Sequence, residues 1–278
     1  MAEITAAAVG KLRELTNAGL MDCKKALVEA NGDLPAAVDI LRKKGVATAA
    51  KKAGREAKEG VIAQHILPGS RAGVLVEINC ETDFVAKNET FRSFCDDVAR
   101  RLAADPKADL ETDRVAAVAR IGENIKISRH QRLEVSGNGM VAAYIHTGAK
   151  LGVLVEVGAA KESTVGSDPF KELVRDITLQ IAAAHTIAVS RDQVDPAIIA
   201  KEKEIAQEQV KNSPPQAVAK IVEGKLEKFF QTNCLLDQGF VKKEITVREH
   251  VAGVARQLDD EISIRRFIRF QVGETTGA

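Results

Sequence analysis

The feature that most constrains this chain is an internal repeat. GVIAQHILPGSRAGVLVEIN at 60–79 lies without a gap over GMVAAYIHTGAKLGVLVEVG at 139–158, at a constant offset of 79 residues. Gly60 falls on Gly139, Ala63 on Ala142, Ile66 on Ile145, Gly69 on Gly148, and the run Gly73 to Glu77 on Gly152 to Glu156. The offset persists into FRSFCDDVARRLAA (91–104) over FKELVRDITLQIAA (170–183), where Phe91/Phe170, Phe94/Leu173, Val98/Ile177 and Leu102/Ile181 recur at helical spacing. Each copy reads as a β-hairpin followed by an amphipathic helix lying on it. Two such units predict an α+β core.

The flanking segments read as separate pieces. In residues 1–45, Thr5 is positioned to cap a helix with Val9, Leu12 and Leu15 on one face, ended by Asn17-Ala18-Gly19. Asp22 is positioned to cap a second helix carrying Ala26 and Leu27; Asp33, just ahead of Pro35, opens a third on Val38, Ile40 and Leu41, with Gly45 as its stop. Residues 46–59, VATAAKKAGREAKE, are rich in Ala and Lys and predict a basic linker or solvated helix. The core then divides into a first subdomain at 60–138 and a second at 139–190 with 231–262. Between the parts of the second lies 191–230. There Asp195-Pro196 and Ser213-Pro214 each start a helix, and only Asn212 to Pro215 separates the two, so they form an antiparallel hairpin. A helix over 108–121 closed by Gly122, a strand within 124–135, a capping box at Thr246 and Glu249, and an alternating strand in EISIRRFIRFQV complete the reading, with 263–278 as final strand and short tail.

Composition narrows the function classes. Forty basic against 39 acidic side chains give no case for a polyanion as the main partner, and with aromatics at 4% and no Trp there is little to stack on single-stranded bases. The four cysteines form no CxxC pair and no zinc spacing with the five His, which fits reduced thiols. No phosphate-binding loop, dinucleotide fingerprint, HExxH or GxSxG occurs. Cys80 as a nucleophile with His65 or His146 as its base is an alternative that no activating context supports. The first residues lack a basic and an apolar leader region, and no run approaches about 18 apolar residues, so a cytoplasmic, soluble chain is expected.

A duplicated unit carries its own control: what both copies share serves the fold, and what only one has is a candidate for function. Thr82-Asp83-Phe84-Val85 stands opposite Lys161-Glu162-Ser163-Thr164. The fold therefore does not require Phe84. Either it packs beneath the helix that follows, or it is an exposed anchor for another protein. The second copy has its own difference at Tyr144-Ile145-His146, opposite His65-Ile66-Leu67, which makes a shared binding face with His146 possible.

LRELTNAGLMDCKKALVEANGD (12–33), ETDFVAKNETF (81–91), IGENI (121–125) and FIRFQVGE (267–274) together closely resemble the bacterial elongation factor Ts family, across essentially the whole chain. That resemblance implies a ubiquitin-associated-like first domain, two related core subdomains, an inserted coiled-coil or dimerisation hairpin and a C-terminal module. It implies a non-catalytic guanine-nucleotide exchange factor that needs no cofactor. The implied partner is elongation factor Tu, GDP-bound and nucleotide-free; no direct nucleotide, nucleic-acid or membrane binding is expected. Thr82, Asp83, Phe84 and Val85 match the motif associated with displacing the partner's magnesium ion. Family contacts map onto Arg13, Leu20, Met21, Ile121 and His146, with Leu20 where relatives often carry Met. Longer-tailed relatives continue beyond the FIRFQVGE strand into a further helix, which has no counterpart before Ala278.

Overall fold

The computed structural model describes residues 4–16, 18–210 and 214–274. Asn17, Asn212, Ser213 and Ala278, named above, lie outside the described residues. Three helices, α1 (Ala6–Thr16), α2 (Leu20–Glu29) and α3 (Leu34–Lys52), pack around Val9, Leu12, Cys23, Ala26, Leu27 and Ala37. Thr5 caps α1 by accepting the Ala8 N–H at 3.2 Å, and Asp33 caps α3 by accepting the Ala36 N–H at 3.0 Å. Both caps are as the sequence predicts.

Three expectations in this region need correction. Asp22 does not open α2: the helix starts at Leu20 after Gly19, and Asp22 lies in its first turn, where its charge complements the helix's positive end. Leu15 continues the apolar stripe of α1 but is 61% exposed, because periodicity fixes a face without fixing how far the neighbouring helices reach. Gly45 does not stop α3. The helix runs through it to Lys52, and a Cβ at Gly45 would stand 3.6 Å from both the Val115 and Ala119 side chains. The glycine permits close approach of another helix, and that packing outweighs its weak helix propensity.

The repeated units are longer than the sequence alignment indicates. The first comprises β1 (Glu59–Ile66), β2 (Ala72–Cys80), α4 (Asp83–Lys87), α5 (Glu89–Ala104), α6 (Glu111–Ile121) and β3 (Lys126–Glu134). The second comprises β4 (Gly139–Ile145), β5 (Leu151–Ala159), α7 (Glu162–Val165), α8 (Asp168–Ala183), then α9 (Pro196–Gln209), α10 (Pro215–Asn233), α11 (Val247–Gln257) and β6 (Ile262–Gln271). Each folds its strands into a three-stranded antiparallel sheet, β1-β2-β3 and β4-β5-β6. Even the irregularity is duplicated: the register slips between Glu77 and Ile78 opposite β3, and between Glu156 and Val157 opposite β6. Arg129 thereby meets Glu77, and Arg266 meets Glu156. So α6-β3 and α11-β6 are also repeats of each other, at an offset of 137 residues, the extra length being α9, α10 and the segments that connect them to α8 and α11.

The central strands β2 and β5 are apolar on both faces because both faces are covered. Val74, Val76 and Ile78 turn to α5 with Phe91, Phe94, Val98 and Leu102, while Val153, Val155 and Val157 turn to α8 with Phe170, Leu173, Ile177 and Ile181. Leu75 and Leu154 point the other way, into a layer between the sheets with Ile62, Leu133, Val141, Ile268 and Phe270. The result is two stacked sheets with a helix on each outer side. Gly152 makes the stacking close: a Cβ there would come within 2.5 Å of Ile62 and 3.0 Å of Leu75 on the opposite sheet. In the insertion, Ile199 packs with Phe229 and Phe230, and Ala206 and Val210 pack with Val218 and Val222, which sets α9 and α10 antiparallel. The capping box at α11 forms as predicted, with Thr246 Oγ1 accepting from Glu249 N and the Glu249 carboxylate accepting from Thr246 N.

Candidate functional site

Thr82-Asp83-Phe84-Val85 forms the start of a short helix, α4, between β2 and α5. Thr82 is its cap, accepting the Val85 N–H at 3.3 Å, and Asn88 both ends α4 and caps α5, accepting from Thr90 and Phe91 at 2.8 and 3.3 Å. Ala86 is buried and Val85 half-buried, so one side of α4 lies on the core. Phe84 points the other way and is 81% exposed. Packing beneath its own following helix, the first of the two readings left open by the sequence, is thereby excluded. The Asp83 carboxyl is held below the usual carboxylate range by the hydrogen bond and charge of Lys87, 2.7 Å away.

Five residues cannot sustain a helix alone. What fixes α4 is a carboxylate from the loop after α6. Glu123 Oε2 accepts the backbone N–H groups of Glu81 and Thr82, each at 3.0 Å, and Glu123 Oε1 accepts the Thr82 hydroxyl at 2.6 Å. The exchange is mutual: Glu81 Oε1 accepts the Asn124 N–H at 2.6 Å. Asn124, 1% exposed, donates to the Arg55 carbonyl at 2.8 Å, so the connector from α3 is tied to the same loop. The second copy repeats one of these bonds, while the Ala160 N–H, at the place of Glu81, goes instead to the Glu261 carbonyl at 3.0 Å. Asp260, at the 137-residue offset from Glu123, accepts the Lys161 N–H at 3.0 Å, and Lys161 occupies the place of Thr82. Gly122 and Asp259, which precede the two acids, both have left-handed backbone, with φ 86° and 47°. The clamp is thus shared, while the side chain it presents is not: α7 carries Ser163 where α4 carries Phe84.

The other predicted residues fall into two groups. His146 is exposed on the turn joining β4 to β5, its ring Nδ1 2.9 Å from the Tyr144 hydroxyl. The same turn is bonded to β1 by Ile62 N–H to Ala149 O at 2.7 Å, and α4 also packs on β1, which makes that strand the common support of Phe84 and His146. A cleft of about 190 Å³ opens between β1, α5 and this turn, lined by Gln64, Arg92, Asp96 and Ile145 among others. Ile121, the last residue of α6, is half-buried against the first core, directly before the clamp loop. Arg13, Leu20 and Met21 form the second group, at the α1–α2 corner, with Leu20 51% and Met21 60% exposed.

Cys80 is no nucleophile candidate. It is fully buried, burial and the nearby Glu123 carboxylate push its thiol up to about 12, and its Sγ donates to the Thr82 carbonyl at 3.2 Å. No group of three metal-ligating side chains occurs among the described residues, and none of their helices is long and apolar enough to cross a membrane.

The clamp is what reading the sequence missed. Its signal was present in IGENI, where an acid follows a helix-ending glycine, but only the 137-residue offset, hidden by the insertion, connects Glu123 to Asp260.

Fold and site together define a duplicated α+β protein in which one unit carries an inserted helical hairpin and the other presents an aromatic on a clamped short helix. The chain belongs to the elongation factor Ts family: the family model described as Elongation factor TS matches residues 81–274. It is 45% identical to an elongation factor Ts of Symbiobacterium thermophilum over 99% of this chain and 93% of the relative. Similarity to an elongation factor Ts of Clostridioides difficile is 44% over 99% and 94%, and to that of Nitratidesulfovibrio vulgaris 40% over 99% and 98%. The part the chain plays is therefore in translation elongation.

Proposed function

We propose that this chain promotes release of GDP from elongation factor Tu and its replacement by GTP, acting by binding alone. Phe84 wedges into an apolar pocket between partner helices and Asp83 fixes the approach. Small helix shifts then degrade the magnesium and phosphate contacts of the bound nucleotide. Magnesium tolerates little such displacement, since it demands near-octahedral geometry at about 2.0–2.1 Å. The observation that carries the reading is the placement of Phe84, 81% exposed on a clamped helix whose sister presents Ser163.

The other regions take supporting parts. The three-helix unit, ubiquitin-associated-like in arrangement, adds a contact through Arg13, Leu20 and Met21. Ile121 and His146 extend the contact made by the two core subdomains, and α9–α10 serves as a coiled-coil or dimerisation module. The partner is taken in its GDP-bound and nucleotide-free forms, in the cytoplasm. By linkage, the factor by which this chain weakens nucleotide binding equals the factor by which nucleotide weakens binding of this chain. Exchange is therefore accelerated in both directions, and the nucleotide pool sets the outcome. The test is release of labelled GDP from elongation factor Tu with Phe84→Ala. A marked slowing is expected; undiminished stimulation would sink the wedge.

A further inference from the structure

The acid that grips α4 bonds to neither Phe84 nor Asp83, yet three donors of the Glu81-Thr82 junction converge on its two oxygens. Thr82 in turn caps α4 through the hydroxyl that Glu123 holds. The direction in which α4 leaves β2, and with it the projection of Phe84 and Asp83, is thus set from Glu123. We infer that Glu123 is a positioning residue for nucleotide exchange, an assignment that rests on the exchange reading of Phe84.

The physical case is one of pre-organisation. A five-residue helix released from its clamp samples other orientations, and a partner that needs one of them must restore the order at the moment of docking. The contacts at Arg13, Leu20, Met21 and His146 lie on other elements, so binding itself persists. What falls is the rate at which the docked factor disturbs the nucleotide site. The second unit supplies the control: Asp260 holds Lys161 by the equivalent bond, but the helix so held presents Ser163.

The experiment uses the full chain in five forms: unmodified, Phe84→Ala, Glu123→Ala, the double variant, and Asp260→Ala. Release of fluorescent GDP from elongation factor Tu is followed against concentration of each, so that half-saturation and maximal rate separate. Glu123→Ala is expected to lower the maximal rate on the order of tenfold, the loss typical of removing hydrogen bonds to a charged group, with half-saturation little changed. Glu123→Gln, which keeps an acceptor for the two N–H groups, should restore most of the rate. Asp260→Ala, which removes the corresponding bond to the Lys161 N–H, should depress the thermal transition while leaving exchange intact. Added to Phe84→Ala, the Glu123→Ala change should slow exchange no further.

Three results would overturn the assignment. One is a normal maximal rate for Glu123→Ala beside a slow Phe84→Ala, which leaves the exchange reading standing. Another is an equal loss of exchange in Glu123→Ala and Asp260→Ala, which would make the effect one of general stability. The third is an unimpaired Phe84→Ala, which removes the exchange reading and this inference with it. Should Glu123→Ala not fold, Glu123→Gln decides through amide hydrogen exchange at Thr82 and Val85, expected to be protected in step with the recovered rate.

Discussion

The helices α4 and α7 are the same piece of architecture put to different ends. Both follow the central strand of a three-stranded sheet, both are met at the cap residue before their first turn by an acid from the loop before the third strand, and both lead into a sixteen-residue amphipathic helix. They part at the second helical position, where one has a large exposed aromatic and the other a serine. Thr164, at the place of Val85, is buried, and no comparable apolar side chain is offered outward. The comparison teaches that the scaffold's cost of holding such a helix is met in both units, so the aromatic is an addition to the fold, free of any duty in it. Exposing Phe84 gives the fold no stabilisation; it has meaning only if something covers it.

The comparison can be broken or sharpened at several depths. The largest effect should come from removing the shared foundation: Phe91→Ala and Phe170→Ala each empty a fully buried site, and each should cost about 3–5 kcal/mol in denaturant unfolding. A large inequality between them would mean that the two units are not equivalent supports. Next, Phe84→Ala should remove about 2–4 kcal/mol from the interaction that drives exchange while leaving the unfolding midpoint within experimental error, measured by GDP release and by denaturant titration in parallel. Loss of stability with retained exchange would reverse the assignment of roles.

The buried acid Glu156 gives a smaller, pH-dependent effect. Glu156, only 2% exposed in its side chain, faces burial that would raise its pKa, but hydrogen bonds from Arg265 at 3.0 Å and Arg266 at 2.7 Å prevail and lower it below the ordinary 4.5. A depressed folded-state value means that its contribution is complete above about pH 4.5 and is lost as pH falls through the folded value. Glu156→Gln should therefore destabilise the chain at neutral pH by about 1.5–3 kcal/mol, and the gap should narrow in acid, as read from unfolding curves at a series of pH values. A gap that stays constant down to low pH would show that packing, not charge, is at issue. The smallest effect expected is that of His146→Ala: a slowing of exchange worth about 1 kcal/mol with an unchanged thermal transition, since the ring is exposed and its partner is the Tyr144 hydroxyl.

Much of this was legible in the residues. The hairpins, the long helices on them, the caps at Thr5, Asp33 and Thr246, and the left-handed stop at Gly122 all follow from local chemistry that tertiary contacts reinforce. Asp22 fails as a cap for a local reason, the start of α2 after Gly19, whereas the other failures depended on what lies across the chain. Gly45 reads as a stop until α6 is seen packed on it, and Leu15 reads as core until the bundle is seen to end before it. For the site, the contrast between Phe84 and Ser163 was visible in one dimension, whereas Glu123 was not, because its role exists only where residues 81–82 and 122–124 come together. Both third strands were legible, but their equivalence escaped notice because the insertion shifts their offset from 79 to 137 residues.

That insertion also bears on how the chain is made. β3 returns to β2 after the three helices α4, α5 and α6, but β6 must also wait for the whole of α9 and α10 before it can pair with β5. Closing the longer loop carries the greater entropic cost and the slower rate. During synthesis the first unit, with α4 already gripped by Glu123, has every strand of its sheet available while β6 has yet to leave the ribosome. Ile268 and Phe270 of that late strand also fill the layer between the sheets beside Val141 and Leu154 of β4 and β5, so the apolar back of the first sheet is only partly covered until then. Phe84 is thus assembled early, on a half-finished protein, and the interval before β6 arrives is when the nascent chain is most exposed to wrong partners.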